Sequence, residues 1–354
     1  MVREIPGIFT HTTAKDHIVK AALFTQSGTV NVVDRPEKHP GPGEIVIAVE
    51  SCGVCGTDLH IVEGTSRSTP PVVLGHEFAG VIESIGPGVT DLHPGQRIAA
   101  DPNISCGTCS YCRRGLVHLC ARLRALGVDI DGGMAERCVL PAAQAHVLPR
   151  GFPVDAAPFV EPVSCAVHGI DRAGIKTGDT VVITGGGTIG LIMLQLSRHA
   201  GASQTIVVEP LGWKREIAQR LGATIAVDGT KAKEAVRDLT VDGADVVIEC
   251  AGSTTAVDMA LELARRGGTV EVFGVCRSGQ SVSVEPHSLF FRELTVVGSY
   301  VNPHTFARAI EILAAGIIRV DAFRVSRFSI DNVHNAFSVL RDGGTHKSMI
   351  VPAS

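Results

Sequence analysis

The chain reads as an α/β protein in two parts: an antiparallel, β-rich part and an open parallel sheet wound on both sides by helices. Three observations predict this. Residues 19–160 hold short β-branched runs broken by turn signals, residues 180–299 alternate strand-like and helix-like runs, and 354 residues exceed one ordinary core. Composition narrows the class further. Hydrophobic residues make up 45% and charged residues 19%, as in a globular enzyme. Aromatics at 4% and a net charge of -4 argue against a nucleic-acid partner. No apolar run approaches the roughly 18 residues of a membrane span. Met1–His17 is polar, lacks the apolar core of a signal peptide, and reads as an arm or an oligomer contact. Ten cysteines without a secretion signal indicate a reducing, cytoplasmic setting, with metal or catalytic use before disulfides.

In the first part, Val30–Val33 and Glu44–Val49 are strand candidates. Ile45, Ile47 and Val49 share one face of the second, and Val46 and Ala48 make its other face apolar too. Turns at Gly41-Pro42-Gly43, Gly86-Pro87-Gly88, Pro94-Gly95 and Asp131-Gly132-Gly133 fit an antiparallel barrel or sandwich. After the second strand comes Cys55-Gly56-Thr57-Asp58-Leu59-His60, opening a short helix, and then Gly75-His76-Glu77. Cys and His suit zinc, and Glu is a harder but acceptable ligand. If Cys55 and His76 meet, Thr57 is placed to touch a substrate beside the metal. Either residue alone would read as a buried thiol or a loop histidine.

A second cysteine group, Cys106, Cys109, Cys112 and Cys120, has the spacing C-x2-C-x2-C-x7-C. Four thiolates this close can close tetrahedrally on one zinc with no open position, which marks a structural site in a lobe of about residues 103–122. An iron–sulfur cluster is disfavoured by the x7 spacing and the lack of a following proline. Arg113, Arg114, Arg122 and Arg124 read as a solvated basic surface of this lobe.

From Glu161 the pattern changes. Val163–Ala173 is a short helical run after Glu161-Pro162. Six strands follow at Thr180–Thr184, Thr205–Glu209, Thr224–Val227, Ala244–Glu249, Thr269–Phe273 and Leu294–Gly298, with helices between them. Gly185-Gly186-Gly187-Thr188-Ile189-Gly190 joins the first strand to the apolar helix Leu191–Leu196. Gly185 permits the turn, Gly187 lets a pyrophosphate approach the backbone, and Gly190 lets helix pack on strand. Glu209, at the end of the next strand, stands where a carboxylate accepts the ribose hydroxyls of NAD.

These motifs together resemble the zinc-containing medium-chain dehydrogenase/reductase family, over essentially all of the chain after His17. The resemblance runs through Cys55–His60, Gly75-His76-Glu77-Phe78, the four-cysteine lobe and Gly185–Gly190. Within the family, Glu161-Pro162 is similar to the polyol, sorbitol, butanediol and threonine dehydrogenase branch; alcohol dehydrogenases proper carry a cysteine there. The resemblance implies a GroES-like catalytic domain (residues 1–160), a Rossmann coenzyme domain (161–302) and a return to the catalytic domain (303–354). It implies two zinc ions per chain, NAD, an alcohol or polyol substrate and a homo-oligomer, tetramer or dimer. The catalytic zinc would be held by Cys55, His76 and either Glu77 or Glu161. Asp58 would brace the histidine, Thr57 would accept the substrate proton and His60 would pass it to solvent. Thr188 and Ile189 would lie with the glycines at the cofactor, Lys214 at the adenosine ribose and Lys347 near the pyrophosphate. The competing readings are a threonine or simple alcohol dehydrogenase of the same family and a zinc-free quinone or enone reductase of the same fold; Cys55 together with His76-Glu77 counts against the latter. A non-enzymatic NAD-sensing or nucleic-acid-binding protein using the four-cysteine lobe would leave Thr57 and His60 unexplained. Cys52, Cys138, Cys165, Cys250 and Cys276 read as small buried hydrophobes, and His168 as a core histidine.

Overall fold

The computed structural model describes residues 17–26 and 28–352, so the expectation for the N-terminal arm lies almost wholly outside them. Strand β1 (Glu44–Val54) is the spine of the first sheet. Ile45, Val46 and Ile47 are all buried, as its two apolar faces require. It pairs antiparallel with β2 (Glu77–Ile85) and with Arg137–Pro141; β2 continues through Arg97–Ala100 to Ala145–Val147. β1 runs past Val49 because Cys52 and Gly53 find ladder partners, Phe78 and Glu77, on β2.

Helix α1 (Gly56–Val62) follows β1 directly. Helix α2 (Val160–Ala173) begins three residues before the expected Val163. Proline is tolerated in a first helical turn, where its missing N–H has no partner to lose. Glu161 therefore belongs to the helix and is fixed by its first turn. Val163, Ala166 and Val167 of α2 enter the main core with Leu191, Met193 and Leu194 of helix α3 (Thr188–His199).

The second sheet contains β3 (Thr180–Thr184), β4 (Gln204–Val208), β5 (Ile225–Val227), β6 (Ala244–Glu249), β7 (Ala264–Val272) and β8 (Thr295–Gly298). Their spatial order is β5-β4-β3-β6-β7-β8 and every pairing is parallel. All six expected strands are present. β7 starts at Ala264 rather than Thr269, with a register irregularity opposite Ala244 and Val246. The strand order reverses at β3, which opens a crevice beyond the carboxyl ends of β3 and β6.

The chain then returns to the first sheet. β9 (Val325–Phe328) and β10 (Lys347–Ile350) are a parallel pair, and β10 lies antiparallel on the far end of β1, Met349 opposite Gly53. This pair departs from the purely antiparallel first sheet that the sequence suggests. Among the described residues no helix is long and apolar enough to cross a membrane.

Candidate active site and metal centres

Cys55 caps the start of α1 in an extended conformation, and its N–H donates to Asp58 Oδ2 at 2.8 Å. That bond fixes where the strand ends and the helix begins. On the other side, Gly75 has φ +94°, and a Cβ there would overlap the Cys52 sulfur, so a glycine must precede His76. Glu77 then opens β2 opposite Gly53. One ligand atom each from Cys55, His76 and Glu77 lies within 4.8 Å of the others. His76 Nδ1 faces Asp58 Oδ1 at 3.5 Å, which leaves Nε2 for a metal. Thr57 Oγ1 stands 3.7 Å from the Cys55 sulfur, at the edge of this group. His60 lies one turn further along α1, half-buried.

The electrostatics of the pocket suit a cation. Burial alone would lower the His76 pKa, but Asp58 and then Cys55 outweigh it and raise it well above the ordinary value. Burial pushes Glu161 up to about 7, with His76 opposing and Glu77 reinforcing the shift. Asp58 Oδ1 and His76 Nδ1 are buried without a hydrogen bond. A half-buried thiol, a buried imidazole and two buried carboxylates, with a lysine ammonium near them, form a donor set that fits zinc.

That ammonium is Lys347. Its Nζ is 2.6 Å from Glu77 Oε2 and 3.3 Å from the Val54 carbonyl. Burial works against its charge, but Glu77 and then Cys55 outweigh this and raise its pKa. The sequence places Lys347 near the pyrophosphate; in the structure its ammonium is directed to Glu77 of the metal-ligand group. It is the preceding residue that meets the glycine turn, where the Thr188 hydroxyl donates to the His346 carbonyl. The two candidate carboxylates are thus held differently. Glu77 stands within the ligand group and is ion-paired. Glu161 stands outside it, and its Oε1 accepts from the Cys165 thiol at 3.3 Å.

In the lobe, sulfur–sulfur distances are 3.5 Å for Cys109–Cys112, 3.9 Å for Cys109–Cys120 and 4.0 Å for Cys106–Cys112. These exceed a disulfide bond and match a tetrahedron of thiolates about 2.3 Å from a central zinc, whose edges are about 3.8 Å. The backbone N–H of Thr108 and then the Arg122 side chain pull Cys106 down to about 5, while burial and neighbouring thiols push Cys112 up to about 11. Four thiolates cannot all be charged so close together without a cation, and the cluster fits one.

At the glycine turn, Gly185 has φ +101°, and a Cβ on Gly190 would overlap the Gly185 carbonyl. Gly187 caps α3 with open space around it, and Thr188 and Ile189 form the first turn. Glu209 is buried; its Oε2 accepts from Gly186 N at 2.7 Å and its Oε1 from Leu211 N at 2.9 Å. Lys214 Nζ lies 5.6 Å from the Trp213 ring centre. Arg215 Nη1 is bound to the carbonyls of Glu209 and Pro210.

Sequence reasoning missed a buried polar network behind Glu161. Asn302 Nδ2 donates to Asp101 Oδ1 at 3.3 Å and to Ser164 Oγ at 3.0 Å, and Ser164 Oγ donates to the Glu161 carbonyl at 2.7 Å. Asn103 Nδ2 donates to Asn302 Oδ1 at 2.6 Å. Neither asparagine sits in a motif, so nothing in the sequence marks them. Cys165, read as an inert hydrophobe, also belongs here through Glu161. His168 is part of a T-shaped pair with His118, ring centres 5.2 Å apart.

The family model of the alcohol dehydrogenase GroES-like domain matches residues 41–150, and that of the zinc-binding dehydrogenases matches residues 188–315. The L-threonine 3-dehydrogenase of Pyrococcus abyssi is 34% identical over 326 residues, 89% of this chain and 92% of that one. The chain belongs to the zinc-containing medium-chain dehydrogenase/reductase family. Another member, the sorbitol dehydrogenase of Halalkalibacterium halodurans, is 32% identical over 94% of this chain and 99% of that one. A zinc-binding dehydrogenase structure from Sinorhizobium meliloti, with NADP bound, is 42% identical, covers 95% of this chain and 100% of that one, and superposes with a TM-score of 0.91. Membership explains why two cysteine-containing groups coexist with a dinucleotide-type sheet.

Removing Lys347 should leave Glu77 buried and uncompensated. Lys347→Met is expected to destabilise the protein by about 3–5 kcal/mol, and adding Glu77→Gln should recover more than half of this. Denaturant unfolding of both variants measures it; a loss below about 1 kcal/mol in the single variant would show the pair to be energetically idle.

Proposed function

We propose that the chain is a zinc-dependent dehydrogenase that moves hydride between a secondary alcohol of a polyol or vicinal diol and NAD. The observation that carries this is the convergence of Cys55, His76 and Glu77 within 4.8 Å beside Thr57, in a chain that also has a glycine turn closed by Glu209. When bound, zinc supplies Lewis-acid polarisation of the substrate oxygen and the dinucleotide accepts the hydride. The residues of the chain do the rest. Cys55, His76 and one of Glu77 or Glu161 hold the metal, and Asp58 orients His76. Thr57 Oγ1 accepts the substrate proton, and His60 passes it to solvent. Glu161 supplies a carboxylate to a second substrate hydroxyl, which supports a diol over a simple alcohol. A homo-oligomer is consistent with the edge strand β8, where Val296 is exposed, and with Phe290 and Phe291, 75% and 62% exposed on the adjacent helix Pro286–Arg292.

The direct test is NADH formation with 2,3-butanediol, sugar alcohols, L-threonine and ethanol. A diol or polyol should exceed ethanol in kcat/KM; ethanol outperforming every diol would overturn the substrate class.

Metal analysis of freshly purified protein should return two zinc ions per chain. Cys55→Ala should abolish turnover in a folded protein, whereas Cys109→Ala should lower Tm by more than about 5 °C. Active protein without zinc would sink the reading.

The cofactor reading is NAD over NADP, although the Sinorhizobium meliloti relative was solved with NADP. A 2′-phosphate would set its charge against Glu209 and displace charge-assisted hydrogen bonds of about 1.5–3 kcal/mol, a factor of tens to hundreds. Glu209→Ser should narrow the NAD/NADP ratio chiefly by weakening NAD. Equal use of both cofactors by the wild type, or an unchanged ratio in the variant, would refute the role of Glu209.

A further inference from the structure

Strand β7 brings an acid into the packing between the second sheet and α2. Its last residues are Val270, Glu271 and Val272, and Glu271 is 0% exposed. Neither of its carboxyl oxygens has a hydrogen-bond partner among the described residues. A buried carboxylate without partners is very costly, and such a group keeps its proton instead.

The fold makes room for this side chain. Glu271 lies opposite Ile248 on β6 and Val297 on β8, so it is inside the sheet and not at its edge. Its Oε1 lies against Gly169 of α2, where a Cβ would come within 2.8 Å of it and closer still to Met193 of α3. Phe273 borders the same space. Glycine is unfavourable in the interior of a helix, so α2 gives up helical stability at the point where it meets the acid.

Few charged or titratable groups surround it. On α2, Arg172 attracts the carboxylate, but Arg172 is exposed and its Nε donates to the Gly298 carbonyl at 3.1 Å. Also on α2, burial, then His118 and Arg172, hold His168 down to about 4, and Asp171 is paired with Arg308. From β6 comes Cys250, whose thiol is held well above its ordinary range by burial, then by Glu271 and Glu249. α3 contributes Met193, and the β8 neighbour is Val297; neither carries charge. Burial outweighs Arg172 and pushes Glu271 up to about 8.

We propose that Glu271 seats α2 on the second sheet only while it carries its proton, so that an alkaline release of this helix is built into the coenzyme domain. Once ionised, the carboxylate must be reached by water or by Arg172. Either one parts α2 from β7, and Arg172 would also give up the last carbonyl of β8. The same helix holds Glu161, close enough to His76 and Glu77 to feel their charge, and Ser164, which accepts from Asn302. Loosening α2 therefore reaches the metal-ligand group without any change in the ligands. The device lies outside the hydride chemistry and needs no substrate.

The direction in pH follows from the two states. The unfolded chain loses this proton near the ordinary 4.5, whereas the folded chain keeps it to about 8. The stability conferred is complete below 4.5, declines as pH rises, and is gone above about 8.

The test uses the full chain loaded with zinc. At neutral pH its infrared spectrum should contain a protonated-carboxyl band that Glu271→Gln lacks and that fades as pH rises through about 8. The Tm of Glu271→Gln minus that of the wild type should grow by at least about 3 °C from about pH 5 to about pH 9. Glu271→Met, apolar and of similar length, should show the same trend, which separates loss of the charge from any misfit of the amide. Hydrogen exchange in peptides of α2, corrected for intrinsic rate, should quicken about tenfold or more between about pH 7 and about pH 9 in the wild type and in neither variant. A carboxyl band unchanged by Glu271→Gln, or a Tm difference independent of pH in both variants, would overturn the buried proton. Equal quickening of α2 exchange in wild type and variants would overturn the release.

Discussion

The buried contact between Lys347 and Glu77 joins three otherwise separate parts of the molecule. It links the opening of β2, the far end of β1 through the Val54 carbonyl, and the last strand of the first sheet. Cys55 and His76 lie at the same place, so a thiol and carboxylates crowd a largely buried volume in which the Lys347 ammonium pairs with Glu77. A carboxylate pair with a thiol there would be untenable in a low-dielectric interior without positive charge. The lysine meets part of that requirement, and a metal ion held by these ligands would meet the rest. Ladder pairing, helix start and ligand geometry are therefore consequences of one electrostatic condition as much as of hydrophobic burial.

The coenzyme part answers a different constraint. Its turn is shaped by carbonyls and glycines lying closer than any Cβ permits, as at Gly190 over Gly185. Glu209 then closes the loop by accepting the Gly186 and Leu211 N–H groups, so one carboxylate organises the turn. The Thr188 hydroxyl on the His346 carbonyl couples this turn to the residue beside Lys347. The two parts of the fold thus meet at a polar contact only one residue from the metal-site lysine.

How much was legible in the sequence follows from the range of each signal. The six parallel strands could be read because β-branched runs and glycine punctuation are local. The four-cysteine lobe could be read because its spacing is itself the geometry. The extension of β1 to Val54 could not, since its partners are Glu77 and Phe78 on one edge and Met349 and Ile350 on the other. The early start of α2 was hidden by Pro162, which looks like a boundary but is harmless in a first turn. Cys165 and Asn302 carry no spacing pattern, and their roles come wholly from what the tertiary fold sets beside them. Lys347 was recognisable as important, yet its side-chain direction depends on a strand pairing that no local pattern reveals.

The position of Lys347 also bears on how the protein is made. It lies 270 residues after its partner Glu77. At ribosomal speed that interval is on the order of tens of seconds. Throughout it, Cys55, His76 and Glu77 are already made while the cation that pairs with Glu77, and the strand that carries it, have yet to be synthesised. The parallel sheet, complete at Gly298, can assemble before β9 and β10 exist. The nascent first domain, by contrast, has an unfinished sheet edge along β1 until β10 is made. The first sheet is therefore completed only when β10 pairs with β1.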